Sequence, residues 1–385
     1  MKWYAQFEQS VDTSKGMLLL LALALLGTGC LSTPNAMAPC DEWNSGGALC
    51  PFMNPEDLAH LSTNEWVLVS EMTHSARVAE EGGAPAPFVA GRLRAIHVSP
   101  TGGEIERRVL FPQEWNEAPP SGATWGDASC SGPPTDRNFE PHGIDVGPGP
   151  GGTTAVAVVT HGKREVIDLF EFRFANGSPG VLWRGCVPMP AGRMANDVAL
   201  VEDGFFVTDM IPAVSGFGWS AIGLGLKMTF GGNTGSVLRW TEGGALVPVP
   251  GSKGTAPNGI AATRDGGTIW VAEWGGRRVY RIRMGEEGRT KAKIEGSPDN
   301  LNWAADGKLL VAAQDLSALG ALGCGAIKAG GCDIPYTVTE LDPESMVAEK
   351  ILEGRGAASA ALEVGDEIWV GVFVGDAIER RTRPE

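Results

Sequence analysis

The sequence predicts an all-β protein, a six-bladed β-propeller with a central calcium-binding channel, and three observations carry that prediction. Gly and Pro are abundant, 54 and 26 of 385 residues, while hydrophobic residues still make up 43%. That balance suits many short strands joined by tight turns around a large core. One strand–turn–strand pattern recurs along the chain, and every copy opens on a polar residue. The net charge of −15 comes with no basic cluster, so nucleic acid is a poor partner, because phosphate neutralisation needs Lys and Arg grouped on one face. An acidic balance suits a soluble protein or one that collects cations.

The N-terminus reads as a processed segment. Lys15 precedes an apolar run from Met17 to Leu26, and Gly27-Thr28-Gly29-Cys30 follows. That run is too short to span a bilayer and has the flanks of an export signal. Small residues just before a Cys resemble the cleavage box of bacterial lipoproteins, which implies a lipid on Cys30 and a place in the cell envelope. The chain then divides into a signal peptide over 1–29, a Pro/Ala/Ser-containing tether over 30–53, and the propeller over 54–385. The remaining cysteines are Cys40, Cys50, Cys130, Cys186, Cys324 and Cys332. Their number is even and none forms a C-x-x-C pair, so disulfides are expected. Sequence proximity favours Cys40–Cys50 and Cys324–Cys332, leaving Cys130–Cys186, out of fifteen possible connectivities.

The repeat defines the blades. Pro257-Asn258-Gly259-Ile260 leads to Asp265-Gly266 and an apolar strand at Ile269; Ala195-Asn196-Asp197-Val198 leads to Asp203-Gly204; Pro298-Asp299-Asn300-Leu301 leads to Asp306-Gly307. Pro141-His142-Gly143-Ile144 leads through a Gly/Pro-rich loop to the strand at Ala155, and weaker copies begin at Glu56 and Ser359. Each unit is a strand, a hairpin turn and a second strand. Six copies about 60 residues apart mean a propeller, because each small sheet buries its faces only against neighbouring blades.

The first aligned residues are Glu56, His142, Asn196, Asn258, Asp299 and Ser359, with Asn300 adjacent. Equivalent innermost positions converge on a propeller's central channel. Oxygen donors with neutral amides point to Ca²⁺ rather than zinc, and Glu56 with Asp299 balances a +2 ion. Asn and Asp also cap turns on their own account, but six polar residues in register are more than capping needs.

The segment from Pro55 to the C-terminus resembles the paraoxonase/arylesterase family of calcium-dependent lactonases, within the wider gluconolactonase-like propellers. The likeness rests on Pro55-Glu56-Asp57-Leu58, Pro141-His142-Gly143-Ile144, Val159-Thr160-His161 with Asp168-Leu169-Phe170-Glu171-Phe172, Ala195-Asn196-Asp197-Val198, Pro257-Asn258-Gly259-Ile260 and Asp299-Asn300. It implies a catalytic calcium held by Glu56, Asn196, Asn258, Asp299 and Asn300, and a second, structural calcium held by Asp57, Asp197 and the Ile144 carbonyl. It also implies an active-site pair, His142 and His161, in which His142 takes a proton from water and His161 orients or relays. His60, His74 and His97 match nothing and read as structural.

The function expected from these residues is hydrolysis of lactones and aryl esters. The alternatives are a non-catalytic calcium-binding envelope propeller and a sugar lactonase of the gluconolactonase type. The stretch from Met210 to Gly232 reads as an apolar inserted loop, a lid over the channel or a membrane contact. Gly218-Trp219-Ser220-Ala221-Ile222-Gly223 misses the spacing of a serine-hydrolase elbow, and Gly147 to Gly152 lacks the Lys-Ser/Thr of a phosphate loop.

Overall fold

Short β-rich runs punctuated by glycine turns become six sheets of four or five strands in chain order, and Asn35–Ala36 pairs with Cys332–Asp333 as a separate two-stranded sheet. Gly266 and Gly307 close their hairpins in left-handed backbone, φ 71° and 82°, where a side chain would be strained. The computed structural model describes residues 34–43, 47–61, 65–73, 90–99, 104–112, 125–162, 164–175, 177–213, 219–325 and 327–384. The signal segment 1–29 and Cys30 lie outside the described residues.

The innermost strands are Pro55–His60, Glu140–Pro148, Arg193–Val201, Pro257–Ala262, Ser297–Trp303 and Ala357–Val364. Each packs against the innermost strands before and after it, and Ala357–Val364 meets Pro55–His60, so the ring of blades 1 to 6 is closed. Blade 2 gains a fifth strand, Trp125–Gly126, parallel to Ser178–Pro188. The fold is a six-bladed β-propeller.

Six apolar clusters lie one at each blade–blade interface. Between blades 6 and 1 the cluster holds Leu49, Phe52, Leu58, Val67, Val69, Trp369 and Ile378 among others. Each large apolar side chain buried this way contributes about 1.5–3 kcal/mol, against about 0.5–1.5 kcal/mol for a net hydrogen bond. Apolar packing therefore closes the ring, and hydrogen bonds fix its register.

The first half of the chain's tether reading holds no blade, but the second half does. Ala48–Leu49 adds a fourth strand to blade 6, antiparallel to Ile378–Thr382, so a segment that precedes blade 1 completes the last sheet. Leu49 and Phe52 are apolar and reach the gap between blades 6 and 1, which is why these residues leave solvent. The disulfides are Cys40–Cys50, Cys130–Cys186 and Cys324–Cys332, with Cα–Cα separations of 6.0, 5.4 and 5.3 Å, all within the usual range. The first brackets the latch strand.

The 210–232 insertion is not all loop. Strand Gly204–Pro212 runs into it, residues 214–218 lie outside the described residues, and Trp219–Phe230 is a helix. Met210 and Met228 pack against a cluster containing Ala256, Trp274 and Leu316, whereas Leu226 and Phe230 are 43% and 75% exposed.

Candidate active site

Every innermost strand shifts register against its neighbour at the same place: between Pro55 and Asp57, Pro141 and Ile144, Ala195 and Val198, Pro257 and Ile260, Pro298 and Leu301, and Ala358 and Ala360. A bulge adds an unpaired residue and re-aims side chains. The repeat's polar residues sit at these six bulges, at one end of the channel. The strands pass very close there: a methyl at Gly143 would collide with Asp197 and the Asn196 backbone, and one at Gly259 with the Asp299 carbonyl.

The expected ligand residues come together. Asn300 Nδ2 donates to Glu56 Oε1 at 3.0 Å, and Glu56 Oε1 lies 3.3 Å from His142 Nε2. Asn196 Nδ2 lies 3.5 Å from the same imidazole nitrogen. Glu56, Asn196, Asn258, Asp299 and Asn300 are all buried. Ser359 takes a different part: its hydroxyl donates to the Glu56 main-chain carbonyl at 2.6 Å, tying blade 6 to blade 1.

Four buried oxygens of this set, Glu56 Oε2, Asn196 Oδ1, Asn258 Oδ1 and Asn300 Oδ1, receive no hydrogen bond among the described residues. Buried polar atoms left unpaired are rare and costly. Here the donor set fits a hard cation: two carboxylates and three amide oxygens suit Ca²⁺. Among the described residues no three His, Cys, Asp or Glu side chains gather as a metal site by themselves, so the amides are indispensable to the fit.

Electrostatics agrees. Burial pushes the Glu56 carboxyl up to about 8 from an ordinary value of 4.5. Asp57, Asp197 and Asp299 are likewise raised well above the usual carboxylate range by burial, and then by the charges beside them: Glu56 for Asp57 and Asp299, Asp57 and Glu56 for Asp197. Four mutually repelling buried carboxyls call for a cation or for protons. Asp57 and Asp197 also staple the blades: Asp57 Oδ2 accepts from Ile144 N at 2.8 Å, and Asp197 Oδ2 from Ile260 N at 2.7 Å. Ile144 therefore meets Asp57 through its N–H.

The histidines stand as a pair. His142 Nδ1 lies 2.7 Å from His161 Nε2, with the rings edge-to-face. Burial holds the His142 imidazole below its ordinary value of 6.5, against the opposing pull of Asp299 and Glu165, which favours the neutral ring with a free lone pair. His60 Nε2 pairs with the Glu363 carbonyl and His97 stacks on Trp66, both as structural residues; His74 lies outside the described residues.

Two neighbours escaped the sequence reading. Glu165 places both carboxylate oxygens 3.0 Å from His161 Nδ1. Gln314 Nε2 donates to Asp299 Oδ2, and its carbonyl accepts from Trp274 Nε1 at 3.0 Å. Gln314 pairs with Ser297 as His161 pairs with Glu140, so aligning the second strands as well as the first would have exposed it. Glu165 lies in a turn outside the repeat and carried no such signal.

No protein-family model and no curated protein matches the chain. Similar solved structures include a gluconolactonase from Xanthomonas campestris, 16% identical at a TM-score of 0.47, covering 92% of this chain and 96% of that one. A periplasmic gluconolactonase from Pseudomonas aeruginosa is 14% identical at a TM-score of 0.42, over 86% and 89%. A luciferin-regenerating enzyme is 11% identical at a TM-score of 0.47, over 87% and 92%. The likeness is one of architecture.

Proposed function

We propose that the protein is a calcium-dependent hydrolase of lactones and aryl esters. The observation that carries the reading is the set of unpaired buried oxygens on Glu56, Asn196, Asn258 and Asn300, gathered beside the neutral imidazole of His142. Calcium bound there would polarise the substrate carbonyl and stabilise the oxyanion formed from it. His142 Nε2 accepts the proton of the attacking water, and His161 supports it through Nδ1. Met210, whose sulfur lies 3.5 Å from Asn196 Nδ2, gives the site an apolar flank with Met228 nearby. That flank favours an aliphatic lactone or aryl ester over a sugar lactone.

A hydrolysis screen over aliphatic lactones, sugar lactones and aryl esters, with and without chelator, tests the reading. Chelator-sensitive turnover of the first or third class is expected. Turnover of sugar lactones alone would move the protein to the gluconolactonase type, and calcium binding without any turnover would make it a non-catalytic propeller.

Calcium is expected to stabilise the fold, with a second ion proposed at Asp57, Asp197 and Ile144. Excess chelator should lower Tm, as linkage requires. The loss should grow with pH. A carboxyl whose folded pKa is raised, as for Glu56 from 4.5 to about 8, contributes stability below its unfolded pKa that is lost as pH rises through the folded one. Melting curves in chelator between about pH 5 and pH 8.5 should therefore fall steeply, and curves with calcium should not. An unchanged melt in chelator would argue against a bound ion.

Export and a diacylglyceryl group on Cys30 complete the proposal, supported by the Lys15 flank, the apolar run and three disulfides. Intact-mass analysis of the membrane fraction should find the modified Cys30 as the first residue; a product cleaved elsewhere and unmodified would remove this part of the proposal.

A further inference from the structure

We infer that Glu165 is a positioning residue that sets which nitrogen carries the proton in both His161 and His142. The inference rests on the reading of His142 as the base. An ionised carboxylate only accepts hydrogen bonds. Both oxygens of Glu165 face His161 Nδ1 at 3.0 Å, so that nitrogen carries the proton. In a neutral ring His161 Nε2 is then an acceptor, and His142 Nδ1, 2.7 Å away, must donate to it. His142 Nε2 is left with a lone pair at the channel, 3.5 Å from the donor Asn196 Nδ2 and 3.3 Å from Glu56 Oε1, an oxygen that already accepts from Asn300 Nδ2 and belongs to the proposed calcium ligands. Two imidazoles in series thus carry the preference of one carboxylate from a surface turn to the reacting end of the channel, as the orienting carboxylate of a catalytic triad does through one ring.

Glu165 is itself held in place. Its Oε1 accepts from Ala195 N at 2.8 Å, and its main-chain carbonyl accepts from Met189 N at 2.9 Å. It therefore bridges the His161 hairpin of blade 2 to the strand that carries Asn196. Glu140 and Glu56 are the other carboxylates near His161, Glu140 packed at Gly162; no hydrogen bond joins either to the ring among the described residues. A glutamine at 165 could keep its oxygen on the Ala195 amide, but its NH₂ would then face His161 Nδ1. That arrangement reverses both rings and puts a proton on His142 Nε2, where a lone pair is needed.

The test uses the calcium-loaded protein labelled with ¹⁵N-histidine. Wild type should show His142 and His161 both protonated at Nδ1, the tautomer that free histidine disfavours. E165Q should lose this signature and lower kcat by about 10²-fold or more with KM little changed, while E165D, which restores a carboxylate, should recover part of the rate. Wild-type His142 carrying its proton on Nε2, or E165Q keeping wild-type kcat, would overturn the inference. The tautomer measurement needs no substrate and no variant. Wild type that shows the signature yet hydrolyses nothing would sink the lactonase reading and leave the proton arrangement standing.

Discussion

His142→Gln should slow hydrolysis of the best lactone by about 10²–10⁴-fold, the usual cost of a lost general base, while calcium affinity and Tm stay close to wild type. Glutamine has a similar reach and keeps a polar atom near Glu56 and Asn196, which flank the imidazole at 3.3 and 3.5 Å. It has no basic nitrogen. The loss should appear in kcat, because the base acts on water and not on substrate binding. Wild-type kcat/KM should fall on the acid side as His142 takes up a proton, with its limb below the ordinary imidazole value because burial disfavours the cation. His161→Gln should cost less, since it touches the reacting end only through His142. Full activity in H142Q would mean that another group activates water, with Glu56 or Asp299 next in line.

Asp299→Asn should have the larger effect on the metal and an opposite effect on the empty fold. Calcium affinity should drop by more than the roughly 10–100-fold that losing a ligand's hydrogen-bond partner costs, and hydrolysis should fall to background with it. Gln314→Leu, which removes the amide that holds Asp299, sets that smaller scale. In chelator at pH 8, however, D299N should melt higher than wild type. Asp299 is one of four buried carboxyls whose charges oppose ionisation of one another, and the asparagine keeps the shape without the charge. Calorimetry with and without calcium reads both effects. A variant that binds calcium like wild type would remove Asp299 from the site, and one that melts lower in chelator would show that the carboxylate is structural. A stability gain bought by disabling the site is the behaviour expected where function imposes strain on a fold.

Much of this architecture was legible along the chain because its signals are local and repeated. Apolar runs of strand length, Asp-Gly turns at a constant offset in three copies and a polar residue opening each of the six mark six blades and their channel ends, and a turn needs only neighbouring residues to form. Cysteine proximity ranked first the three bridges that the structure contains. What sequence spacing could not show depends on residues meeting across blades. Strict alternation would send Asp299 and Asn300, or Glu56 and Asp57, to opposite faces; the shared bulge turns such pairs into the crowded channel end, and its form depends on the strand alongside. Ala48–Leu49 joins blade 6 because the last sheet lacks its outer strand, a vacancy that exists only once the ring has closed. Glu165 is held beside His161 by hydrogen bonds from Met189, just past the end of strand Ser178–Pro188, and from Ala195 on the next blade. Periodicity therefore accounts for which residues face the channel, whereas the pairing of a carboxylate with two histidines, and of four carboxyls with one another, follows from the distances that six packed sheets impose.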